Sequence, residues 1–266
     1  MRFAGPGVPL LFWVVRTARV SILVPTFNNP SCLERIARDV IARTRDPYEL
    51  IVIDNASEPG SVEETYGRLQ RDPHVQVIRM ASNCYYWPAI NAGIRASAED
   101  TRYYLALNDD VILLGPDWLE RLVSRMEEDQ DVGIVGDFQA TGAGPLGGWV
   151  DGWCALIRRS LVDRIGLFDE KKYPFHYGFV DFQYRAFRCG YSLRDIKAPG
   201  DTRDHVQGIA HHLRGATIRQ GNLTARERRR LLKTPTQLLY ILIRHLYFRA
   251  AVREALRLAL SRIRSR

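Results

Sequence analysis

In the stretch "YYLALNDDVILLG", Tyr103 to Gly115, the polar trio Asn108, Asp109 and Asp110 interrupts an otherwise apolar run. A buried carboxylate is costly unless it is paired or bound to a metal, so two adjacent acids at the end of such a strand need an explanation outside core packing. Two other apolar runs also end in polar groups that a core does not require. "RVSILVP" leads into Thr26, Phe27, Asn28 and Asn29, and "YELIVID" into Asn55, Ala56 and Ser57. In open α/β sheets ligands bind outside the carboxyl ends of the strands, so these three strand ends outline one candidate site.

The elements that must position them alternate between strand-like and helix-like patterns, the signature of a mostly parallel sheet covered by helices. "SCLERIARDVIAR" places Leu33, Ile36, Ala37, Val40 and Ile41 on one helical face, with Ser31 and Glu34 as a capping box. A helix around residues 62–69, a strand at 74–80 and a helix at 87–98 lead into the strand of the opening stretch. "GPDWLERLVSRMEED" is a helix beginning near Pro116 and Asp117 and burying Trp118, Leu119, Leu122, Val123 and Met126. "VGIVGDF" is a further strand. The Gly-rich segment at 141–148 lacks the Lys-Ser or Lys-Thr of a phosphate-binding loop and reads as a connection.

The chain has 266 residues, 46% hydrophobic and 26% charged, enough for one large α/β domain with an appendage. Cys32, Cys84, Cys154 and Cys189 are widely spaced and read as reduced thiols of a cytoplasmic protein. No run reaches the length of a membrane span. The net charge of +8 is uneven: residues 222–266 carry twelve Arg or Lys against two acids, hence +10, which leaves the first 221 residues at −2. Within that tail Arg249, Arg253 and Arg257 form a basic stripe, and Val252, Leu256, Leu260 and Ile263 an apolar one, as on an amphipathic helix. That helix either docks on the body or lies on an anionic membrane surface, a peripheral location on the inner face. Nothing resembles a nucleic-acid module, so no nucleic acid is expected as a partner.

Taken in order, "VSILVPTFNN", "YELIVIDNAS", "NCYYWPAINAGI", "YLALNDDVILLGPDWLERLV", "VGIVGDF" and "GWCALIRRSLVDRIGLFDE", running on to "RAFRCGY", resemble the family 2 inverting glycosyltransferases of GT-A fold. The likeness extends from Arg19 to about Thr217. It implies a GT-A domain, taken as residues 1–217, and the charge and spacing of the tail leave 218–266 as a basic helical C-terminal extension. It also implies a nucleotide-sugar donor, a glycan or lipid-linked acceptor, and Mn²⁺ or Mg²⁺ to neutralise the diphosphate leaving group. The family's D-x-D ligand set falls on Asn108, Asp109 and Asp110, with Asn in place of the first acid. The resemblance puts the metal on Asp110, and Asn108 and Asp109 on the sugar or ribose side.

By the same likeness Asp54 and Asn55 contact the base and ribose, although an Asp-Asn pair at a strand end also caps turns. Pro25, Thr26 and Phe27 form the turn beneath that pocket, and Asn83 and Asn91 flank a helix start facing the same crevice. An inverting transfer needs a carboxylate to take the acceptor's proton. The family's acidic pair before R-x-x-x-G-Y falls here on Gly178 and Phe179, which cannot serve. Asp181, the carboxylate left in that stretch, is the expected base, with His176 in reserve. A histidine after the last core strand is often the family's third ligand; His212 is chosen over His205 and His211. The segment holding Trp149, Asp151, Gly152 and Trp153 is expected as a turn on the acceptor side, and Tyr85, Tyr86 and Trp87 as an aromatic cluster on the donor side. The alternative is a non-catalytic module that binds nucleotide sugar or glycan.

Overall fold

The computed structural model describes residues 19–45, 47–60, 62–140, 147–174, 177–196 and 210–212, with the backbone alone at 139–140 and 210–212. Nine strands and six helices are formed among them. The apolar runs become β1 (Val20–Thr26), β2 (Tyr48–Asp54) and β4 (Tyr103–Leu107), each buried along its whole length. Full burial on both faces explains why they are mainly apolar and not alternating, and the buried exceptions Ser21 and Glu49 bond each other at 2.6 Å. With β3 (Val75–Arg79), β6 (Val132–Ala140), β7 (Gly148–Arg158) and β8 (Ser192–Asp195) they build a seven-stranded sheet in the order β3-β2-β1-β4-β7-β6-β8. β1, β2, β3 and β4 are mutually parallel, and β7 runs antiparallel to both β4 and β6.

Helices α1 (Pro30–Arg43), α2 (Glu63–Leu69) and α4 (Trp118–Glu127) cover one face through a core that includes Leu33, Ile36, Leu50, Tyr66, Trp118 and Leu122. On the other face lie α3 (Tyr86–Ala96), α5 (Arg159–Ile165) and α6 (Gly178–Arg188), packed through Trp87, Ile90, Leu161, Phe179 and Phe182. After β4 the chain turns at residues 108–110 and leaves the main sheet. It forms β5 (Val111–Leu113), whose one partner among the described residues is β9 (Ala210–His212).

Three local expectations are corrected. The Ser31–Glu34 capping box does not form: α1 starts two residues earlier, with Pro30 as its first residue and Asn29 as N-cap, because proline's fixed φ already suits that position. "GWVDGWC" is not a turn but the first half of β7. Its sheet pattern is hidden in sequence by a bulge, since Gly136 pairs with Ala155 and Phe138 with Val150, leaving residues 151–154 opposite Asp137 alone. Asn91 does not face the crevice. It is 1% exposed, and its side-chain amide is spent on the Phe168 backbone and on Glu170.

Candidate active site

From β1 the chain proceeds to β2 and β3 on one side, then returns to β4 on the other side of β1. The carboxyl ends of β1 and β4 therefore flank the point where strand order reverses, the place where such sheets hold ligands. Thr26 ends β1 there, and its hydroxyl donates to Asp109 Oδ2 at 2.8 Å across the gap. Asn29 Nδ2 donates to the same oxygen at 3.3 Å. Asp109 and Asp110 are 5% and 4% exposed. Burial foremost, and then the Asp110 charge, push Asp109 up to about 7 against those two hydrogen bonds. Two adjacent buried carboxylates offer hard oxygen donors that fit a divalent cation, whose charge would favour the ionised form of Asp109. Among the described residues no group of three His, Cys, Asp or Glu surrounds such an ion. Few protein ligands are the rule when phosphates and water fill the other positions.

The loop after β2 is laced to its neighbours. Asp54 is fully buried; its Oδ1 accepts from Ser57 N at 2.9 Å and its Oδ2 lies 3.3 Å from Arg79 Nε. The capping geometry foreseen as the alternative is thus present. Asn55 N donates to Thr26 O, while its side chain donates to Tyr85 O at 3.1 Å and accepts from the Cys84 backbone and thiol. Asn83 Oδ1 accepts from Tyr85 N at 3.0 Å. Phe27, Asn83 and Asn108 are half-buried, whereas Pro25 is buried. Thus Thr26 meets Asp109 and Asn55, Asn55 and Asn83 meet at Tyr85, and Pro25, Phe27, Asp54, Asn108 and Asp110 adjoin them in sequence at the same end of the sheet, whereas Asn91 does not join them.

The wall towards β7 is tied to the same turn: Asn108 N donates to Trp153 O, and the Tyr86 hydroxyl to Gly152 O. Burial raises Tyr86 well above the usual tyrosine range, with Cys154, Asp110 and Asp109 adding to it. Asp151 is half-buried on the bulge. Asp181 has another environment. It is 0% exposed, its N–H bonds Tyr177 O, and its carboxylate accepts from Arg185 Nε at 3.1 Å. Arg185 also clasps the carbonyls of Ile165 and Leu167, so the pair braces α6 against the end of α5. The positions of the missing acidic pair are filled by an aromatic plug. A Cβ on Gly178 would stand 2.5 Å from Trp87 Cδ1, and Trp87 stacks on Phe168 and lies 5.3 Å from Phe179.

The backbone of His212 pairs with that of Val111, next to Asp110. Its side chain, together with His176, His205 and the tail from 213 onwards, lies outside the described residues. A feature that sequence reasoning missed is backbone strain. Among the described residues the non-glycine positions with positive φ are Asn28, Ala56, Tyr85 and Tyr177. They sit in the loops after β1 and β2 and before α3 and α6, all at this end of the sheet, and such outliers concentrate at functional sites.

This architecture is the GT-A fold. A model of the family "Glycosyl transferase family 2" matches residues 21–188, and the chain belongs to that family. It is 27% identical over 197 residues to the O-antigen biosynthesis protein RfbC of Myxococcus xanthus, covering 58% of this chain and 15% of RfbC. An uncharacterized protein, y4gI, of Sinorhizobium fredii is 26% identical over 214 residues, covering 66% of this chain and 23% of y4gI. The chain thus spans less than a quarter of the length of these relatives. Among solved structures it is similar to the mannosyltransferase PcManGT of Pyrobaculum calidifontis, in complex with GDP-Man and Mn²⁺. The TM-score is 0.55 at 18% identity, over 89% of this chain and 73% of that one. It is also similar to GalNAc-T7 with UDP, GalNAc and Mn²⁺, with a TM-score of 0.56 at 17% identity, over 66% and 42%.

Proposed function

We propose that this chain transfers a sugar, with inversion at the anomeric carbon, from a nucleotide-sugar donor to a hydroxyl of a glycan or lipid-linked glycan. The observation that carries this reading is the buried acid pair Asp109-Asp110 at the point where strand order reverses. The Asp54-held turn, Asn55 and the Pro25–Phe27 turn receive the nucleotide, and Asn108 and Asp109 face the sugar or ribose. Asp110, with His212 on the paired strand, would hold Mn²⁺ or Mg²⁺. When bound, that cation supplies Lewis-acid neutralisation of the diphosphate as it leaves. Its presence in PcManGT and GalNAc-T7 supports the choice.

A crevice carboxylate takes the acceptor's proton. Asp181, expected from sequence, acts as base only if Arg185 releases it. Asp151, half-buried on the β7 bulge, is the competing carboxylate. A second reading, a binding module without transferase chemistry, is favoured by one fact: the acidic pair is replaced by Gly178 and Phe179, sealed by Trp87.

A thermal-shift screen of common nucleotide sugars with Mn²⁺, followed by donor hydrolysis or transfer, tests the assignment. Stabilisation and turnover that both vanish in Asp110→Ala are the expected result. Turnover surviving in Asp181→Asn but not in Asp151→Asn moves the base to the bulge. Binding without turnover of any donor or acceptor leaves the module reading, and no binding at all ends both.

A further inference from the structure

Tyr85 adopts φ 71° and ψ −166°, a conformation that glycine takes freely and that side chains avoid. The loop is clamped there by its neighbours: Asn83 Oδ1 accepts from Tyr85 N, and Tyr85 O accepts from Asn55 Nδ2. Asn55 Oδ1 also takes the N–H and thiol of Cys84. None of these bonds uses the tyrosine side chain, so a glycine would make the same bonds without strain. The ring must therefore contribute something that offsets its conformational cost.

The fold does not use it. Tyr85 belongs to neither core cluster, it is half-buried, and its phenol makes no hydrogen bond or ring contact with the described residues. The next residue shows what a structural tyrosine looks like here: Tyr86 donates to Gly152 O and meets Trp87 edge-on at 4.7 Å. Yet the backbone places Tyr85 beside the candidate site, its carbonyl tied to the Asn55 turn and its neighbour Tyr86 bonded to the β7 wall that also holds Asn108.

We propose that Tyr85 is a donor-binding residue, an aromatic face on which the base of a nucleoside diphosphate stacks. This rests on the reading of the crevice as a nucleotide-sugar site. The clamped backbone fixes the direction in which the side chain leaves the loop, so less ordering is left to do on binding. Base stacking on an aromatic side chain is sequence-tolerant and strong enough for loss of the ring to weaken binding about tenfold.

The test is isothermal titration of GDP, UDP, dTDP and CDP, each with Mn²⁺, into the wild-type chain, Tyr85→Gly and Tyr85→Phe, with melting temperatures alongside. The expected result is a Tyr85→Gly variant that melts at or above the wild-type temperature yet binds about tenfold more weakly, while Tyr85→Phe binds like wild type. Equal affinity of Tyr85→Gly and wild type overturns the proposal while leaving the donor site standing. A Tyr85→Gly variant that melts lower also overturns it, because the ring would then be structural. If the wild type binds none of the four nucleotides, the donor-site reading falls, and this proposal with it.

Discussion

At the scale of single residues, Asp109 converts burial into a measurable pH dependence. Its pKa is raised from 3.8 to about 7, so between those values the folded chain holds a proton that the unfolded chain has released. The sign follows: the contribution is fully present below pH 3.8 and is lost as pH rises through 7. In EDTA, raising the pH from 5.5 to 8 should lower the melting temperature by a few degrees through this group, since each unit of proton linkage is about 1.4 kcal/mol. Mn²⁺ should oppose the decline, because a cation held by the adjacent Asp110 favours the ionised form of Asp109. Asp109→Asn should flatten the EDTA slope, and an unchanged slope would remove Asp109 as its source. Sequence reading recognised the acids and their strand end because a charge in an apolar run stands out. Asn91 misled it because a polar side chain on a helix can point to a ligand or to a neighbouring loop's backbone, and only the packed structure distinguishes them.

At the scale of elements, the close approach of α3, β7 and α6 depends on two glycines against one indole. Cβ atoms on Gly152 and Gly178 would stand 2.8 Å and 2.5 Å from Trp87 ring carbons. Gly178→Ala should therefore cost about 1–3 kcal/mol by overpacking, and Trp87→Ala about 3–5 kcal/mol by leaving a cavity. Combining them should cost less than the sum, because the methyl group enters the space the indole vacates. Strictly additive losses in chemical denaturation would show that the two do not compete for that space. Elements with a strong period, such as α1, α4 and the buried parallel strands, were legible from the chain alone. β7 was not: its bulge breaks the alternation, and its glycines resemble a turn when the indole that requires one of them is distant in sequence. The Asp181–Arg185 pair was hidden for a related reason. Spacing by four along a helix brings the two together, but only burial shows that their bond is internal bracing.

At the scale of the whole molecule, the GT-A body and the basic tail pose different problems. The body was legible because its motifs occur in family order, and the family match over residues 21–188 confirms that part of the reading. Residues 218–266 lie beyond that match and outside the described structure, so their role is argued from charge. No helix among the described residues is long and apolar enough to cross a membrane. We propose that the +10 segment with Arg249, Arg253 and Arg257 on one stripe holds the enzyme at an anionic surface, where a lipid-linked acceptor would be found. Each basic side chain near such a surface contributes about 1 kcal/mol, and the attraction is screened within a Debye length. Deleting residues 234–266 should therefore abolish co-sedimentation with vesicles rich in anionic phospholipid, and 0.5 M salt, an ionic strength chosen to exceed the physiological value several-fold, should weaken the intact chain's binding. Donor-induced thermal stabilisation should be retained, because every residue assigned to the donor and the metal, His212 included, precedes the deletion. If the truncated chain still sediments, the surface contact belongs to the body. If it no longer folds, the apolar stripe of Val252, Leu256, Leu260 and Ile263 packs on the GT-A domain, and the tail is a structural helix instead of a membrane anchor.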